Sequence, residues 1–73
     1  MESSNLVKMA NAIGAFFAAE PDRNLAIAGI QQHLERFWEP RMQHAIIGYV
    51  EQGGSDLMEI VAEAVRNLPR QKE

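Results

Sequence analysis

The sequence predicts an all-α fold, a small bundle of four short helices, and three observations carry that expectation. Apolar residues recur at spacings of three and four along most of the 73-residue chain, the mark of helices with one buried face. No stretch alternates polar and apolar residues with the period of two that a half-buried strand requires. Breakers interrupt the apolar stripes at intervals of one short helix, at Pro21, Pro40, Gly53-Gly54 and Pro69.

The first stripe is Leu6, Met9, Ala10, Ile13, Phe16 and Phe17, which predicts a helix over roughly residues 5–19. Ser3, Ser4 or Asn5 can cap its start, because a short side-chain oxygen accepts from the unpaired N–H groups of a first turn. Pro21 sets its end, since the proline ring cannot continue a helix without losing a hydrogen bond. Asp22 or Asn24 then caps a second helix over about 23–38, with the stripe Ile27, Ile30, Leu34, Phe37 and Trp38. The residue before a proline is pushed out of the α region, so Glu39 is a break and Pro40 the first residue of a third helix over about 40–52. Its stripe is Met42, Ile46, Tyr49 and Val50, and Gly53-Gly54 offers a left-handed C-terminal cap.

Ser55 and Asp56 open a fourth helix over about 56–68, with Glu59 three residues after Asp56 in the manner of a capping box. Leu57, Ile60, Val61, Ala64, Val65 and Leu68 form the most regular stripe of the four. Residues 69–73 read as a frayed polar tail, and residues 1–73 as one helical domain. Connections this short imply antiparallel neighbours, except at Trp38-Glu39-Pro40, which reads as a bend more than a reversal.

Composition removes several function classes. The chain has no cysteine, hence no disulfide, thiolate metal site or iron–sulfur cluster. A single core in a chain this short seldom supplies more than about 3–5 kcal/mol, so stability falls to good helix packing, self-association or a partner protein. Three basic and four acidic groups in residues 1–37, and four and six in residues 38–73, leave no basic face for nucleic acid. No apolar run approaches the roughly 20 residues that span a bilayer. The start, Met1-Glu2-Ser3-Ser4-Asn5, lacks the basic region of a secretory signal, so the cytoplasm is the expected location.

Candidate chemistry is thin. Ser3, Ser4 and Ser55 sit where helices begin, and capping accounts for them; Glu59 and Glu63 lie four apart on a solvated face. His33 and His44 are on different helices and form no two-point metal site, and His33 is read as donating to a backbone carbonyl. No catalytic residue, metal or cofactor is therefore expected. Helix three, with Arg41, Gln43 and His44, is weakly basic for a DNA-recognition helix. Ser55-Asp56-Leu57 looks like the attachment region of acyl carrier proteins, but there an Asp precedes the modified serine, where this chain has Gly54.

The richest segment is Arg36-Phe37-Trp38-Glu39-Pro40-Arg41-Met42, which combines aromatic, arginine and methionine side chains around a proline bend. Tryptophan and arginine dominate interface hot spots, and methionine adapts to a partner surface. Phe37 is read as core, and Trp38 and Arg41 stay open between core and partner.

Leu6-Val7-Lys8-Met9-Ala10-Asn11-Ala12-Ile13-Gly14, then Phe16-Phe17, then His33-Leu34 and Phe37-Trp38-Glu39-Pro40-Arg41-Met42 together resemble a known family. It is the delta subunit of the soluble NAD-dependent formate dehydrogenases, multisubunit molybdenum or tungsten enzymes of bacteria, with its patterns LVxMANxIGxFF and HLxxFWxPRM. The resemblance is dense from residue 6 to about 50. It implies a small accessory subunit without an active site of its own, associated with a complex whose alpha subunit holds molybdopterin and iron–sulfur clusters. Other subunits of that complex carry flavin and NAD chemistry. On this reading the chain docks on the alpha subunit through Arg36, Trp38, Pro40, Arg41 and Met42, with the polar edge of helix one at Asn11. A second reading is a transient assembly or cofactor-insertion factor for the same enzyme, and an acyl-carrier-like protein is a remote third. The isolated chain is expected to be open to self-association.

Overall fold

A computed structural model describes residues 3–69, which form four helices: α1 (Ser3–Phe17), α2 (Arg23–Phe37), α3 (Pro40–Glu51) and α4 (Glu59–Arg66). There is no strand among the described residues. The all-α reading therefore holds, and the expected tail beyond Pro69 lies outside the described residues.

The core takes Leu6 and Ala10 from α1, Ile27, Ile30 and Leu34 from α2, Ile46, Ile47 and Val50 from α3, and Val61, Ala64 and Val65 from α4. The most extensive packing is between α2 and α4, which are not sequence neighbours, while α1 touches each of the other three. Gly14 lets α1 pack tightly on α4, because a Cβ there would collide with Val61 Cγ2. Sequence neighbours α2 and α3 hardly touch, so Trp38-Glu39-Pro40 is an elbow and not a hairpin.

The helix ends follow their local chemistry in part. Asp22 caps α2, its Oδ1 accepting from Asn24 N–H at 3.0 Å and Leu25 N–H at 3.3 Å. Trp38 and Glu39 are both extended, as a residue before proline must be, and Pro40 opens α3. Gly53 (φ 128°) and Gly54 (φ 58°) close α3. Gly54 N–H donates to Tyr49 C=O and Gly53 N–H to Val50 C=O, the pairing of a Schellman cap.

Three expectations are corrected. Helix α1 starts at Ser3, so Ser4 and Asn5 lie inside it, and it ends at Phe17, ahead of Pro21. Helix α4 starts at Glu59 and not near Asp56, with Met58 as its N-cap and no capping box. The Asp56 carboxylate faces the Tyr49 hydroxyl at 3.5 Å, and Leu57 N–H turns back to Gly54 C=O.

The third correction concerns Phe37, and beside it the structure resolves Trp38, which the sequence leaves open. Trp38 is 6% exposed and belongs to the core, whereas Phe37, read as core, is 70% exposed. At about 100° per residue Phe37 shares the face of Ile30, yet its ring is left largely in solvent. Trp38 sits one residue past the helix, and its extended backbone (φ −86°, ψ 135°) frees it from the helical register to turn inward. Met9 (44% exposed) and Phe16 (76%) likewise belong to α1's apolar stripe and remain uncovered.

This contrast gives a direct test. Trp38→Ala should remove about 3–5 kcal/mol, comparable to the whole stability of so small a domain, and leave the chain largely unfolded. Phe37→Ala should stay within about 0.5 kcal/mol of the parent. Urea unfolding followed by circular dichroism separates the two, and equal losses would refute the assigned burial.

Candidate docking surface

Six residues were singled out for partner binding, and they divide. Arg36, Pro40 and Arg41 are exposed around the elbow, Met42 is half-buried against the core, and Trp38 lies beneath. Asn11 lies apart from them, in a shallow cleft it lines with Lys8, Tyr49 and Asp56. Both halves of its amide are engaged inside the chain. Its Oδ1 accepts from Met58 N–H at 2.9 Å and its Nδ2 donates to Asp56 C=O at 2.9 Å. The side chain thus grips two backbone groups two residues apart, much as a neighbouring strand would, and fixes where α4 begins.

The elbow is held in the same way. Gln43, 5% exposed in the first turns of α3, donates to Trp38 C=O at 2.8 Å and Leu34 C=O at 3.2 Å. The last carbonyls of a helix have no partner within it, and a buried one left unpaired is costly. Leu34 C=O already accepts from Trp38 N–H at 3.0 Å, so Gln43 supplies the partner of Trp38 C=O and ties the direction of α3 to the end of α2. Gln31 makes a third such link, from α2 to Asn67 C=O at the end of α4 (3.3 Å), while also donating to Glu35 at 2.9 Å. Reading by apolar spacing passed over Gln31 and Gln43. The available signal was position: Gln43 is in step with Ile46, Ile47 and Val50, and Gln31 with Ile27 and Leu34.

An apolar wedge lies between α1 and α2. Ala12, Ile13, Phe16, Phe17 and His33 line a shallow depression of about 360 Å³. Phe16 meets Phe17 edge to face, with ring centroids 5.2 Å apart. Phe17 in turn lies so close to Gly29 that a Cβ there would strike its ring. The expected backbone hydrogen bond of His33 is replaced by ring packing, its imidazole 4.8 Å from the Phe37 ring at 44°. Through His33 the wedge is joined to Phe37, whose neighbour in sequence is Arg36.

Charged groups offer little else. The carboxylates of Glu20 and Glu35 accept hydrogen bonds from Asp22 N–H and Gln31 respectively, and Glu63 pairs with Arg66 at 3.5 Å on the surface. Among the described residues no three His, Asp or Glu side chains gather as a metal site would require, and no helix is long and apolar enough to cross a membrane.

In comparisons with known proteins, the family described as NADH-dependent formate dehydrogenase delta subunit FdsD matches residues 5–65. No curated protein and no solved structure matches the chain. The matched span contains the described helices almost whole, from the first turn of α1 to all but the last residue of α4.

Removing the two amides should read out as stability. Asn11→Ala and Gln43→Ala should each cost about 1–3 kcal/mol, the first by removing the partner of Met58 N–H and Asp56 C=O and the second that of Trp38 C=O. Hydrogen exchange gives the site-specific check: the Met58 amide should exchange faster in Asn11→Ala and unchanged in Gln43→Ala.

Proposed function

The chain belongs to the delta-subunit family of NADH-dependent formate dehydrogenases, and we propose that it is a non-catalytic accessory subunit docking on the catalytic alpha subunit to support assembly or activity. The observation that carries this reading is the family match over residues 5–65. Physical features support it. A core this small gains from a larger partner, and the large aromatic side chains Phe16 and Phe37 stand uncovered.

We place the docking edge at the α2–α3 elbow. Arg36, Pro40 and Arg41 supply contact groups there, and Met42 adds an adaptable apolar side chain from its half-buried position. Trp38 contributes from within, by setting the elbow's shape, and Asn11 by anchoring the loop before α4. The chemistry of formate oxidation then belongs to the other subunits, and the delta chain acts through binding free energy alone. Such a role needs rigid presentation of a surface, which the amide links at both ends of α4 and at the elbow provide.

Co-expression of the tagged chain with the other formate dehydrogenase subunits tests this. Size exclusion should show co-elution with the alpha subunit at a fixed stoichiometry. Elution of the chain alone, beside an enzyme that assembles and works fully without it, would dismiss the subunit reading.

A further inference from the structure

We propose that the apolar wedge between α1 and α2 seats an amphipathic helix of the catalytic subunit, one that carries a carboxylate beside its apolar stripe. The inference rests on the subunit reading above and adds the surface and the chemistry of its occupant. Phe37 lies on the same face of α2 as the buried Ile30, yet 70% of it is exposed, and Phe16 is 76% exposed on the apolar stripe of α1. Phe37 thus continues the inward face of α2, and Phe16 flanks the buried face of α1 formed by Leu6, Val7 and Ala10.

The anchors are held in place before any partner arrives. Phe16 rests edge-on against Phe17, Phe17 lies over Gly29, and Phe37 packs on His33. Fixed aromatic side chains lose little freedom on binding, which is the property of hot-spot residues.

Charge selects the occupant. Arg36 adjoins Phe37, Arg41 follows at the start of α3, and neither makes an ion pair or hydrogen bond among the described residues. Of the acids that flank these arginines in sequence, Glu35 is engaged by Gln31, and Glu39 stands exposed at the elbow. The two unspent guanidinium groups therefore call for a carboxylate on the partner, for which arginine provides a two-pronged donor. No sheet edge exists among the described residues to accept a strand, whereas the depression between α1 and α2 offers a groove suited to a third helix.

The test uses the intact chain and a formate dehydrogenase complex prepared without it, with affinity followed by interferometry. Phe16→Ala combined with Phe37→Ala should weaken binding about 30-fold or more while the circular dichroism spectrum and urea midpoint stay at parent values. Leu25→Ala, an exposed apolar side chain outside the wedge, should bind as the parent does. Arg36→Glu with Arg41→Glu should slow association at low salt, with the difference fading at high salt. A photo-crosslinking phenylalanine analogue at position 37 should attach to a helix of the catalytic subunit that bears Asp or Glu.

Parent binding with an equally tight Phe16→Ala, Phe37→Ala variant would overturn the wedge and leave the subunit reading standing. Crosslinking to a different subunit, or sedimentation showing that the wedge joins two copies of this chain, would overturn the assigned occupant. A parent chain that fails to bind the complex at all would remove the subunit reading itself.

Discussion

Helix α4 is eight residues long, and a helix of that length does not form on its own in water, because nucleation costs more than so few hydrogen bonds return. It stands because it is gripped from outside at both ends. Asn11 of α1 holds the Asp56–Met58 backbone before it, and Gln31 of α2 reaches the Asn67 carbonyl after it. Between those grips, Val61, Ala64 and Val65 fill the space between the other helices. Since α2 packs more extensively on α4 than on any other helix, the shortest and least autonomous element organises the bundle. Folding of α4 and closure of the core are thus one event.

Spacing in the sequence made the helices legible, because a period near 3.6 is a property of the helix itself. It identifies which face of each helix is apolar. It does not say whether another helix lies opposite, and that is why Phe37, Phe16 and Met9 read as core and are exposed. Residues at a helix break are legible in neither sense. Trp38 follows its own extended backbone angles and not the helical register, so its burial could be settled only in three dimensions. The start of α4 was misplaced for a related reason. Ser55, Asp56 and Glu59 have the composition of a local cap, but a side chain 45 residues away competes for the same backbone and wins.

The residues behind the family resemblance now fall into two physical groups. Leu6, Ala10, Leu34 and Trp38 are spent inside the fold, and Asn11 and Gly14 set tight contacts within it. Met9, Phe16, Phe37 and Arg41 are on the outside, where the fold of the single chain gives them little to do. A motif that specified only a bundle would not need bulky aromatics on solvent, and one that specified only a surface would not need the buried tryptophan. The two demands meet at the elbow, where adjacent residues point in opposite directions.

The three links that fix the helix ends are neutral amides, and the ion pair between Arg66 and Glu63 is exposed and 3.5 Å long. Neither feature responds strongly to ionic strength, since neutral hydrogen bonds are unscreened and surface pairs contribute little. Arginines beside a carboxylate-bearing partner would respond strongly. Dissolved salt therefore divides the molecule's two kinds of cohesion: it can release the chain from an assembly while leaving its internal architecture intact, so that detachment yields a folded, reusable component.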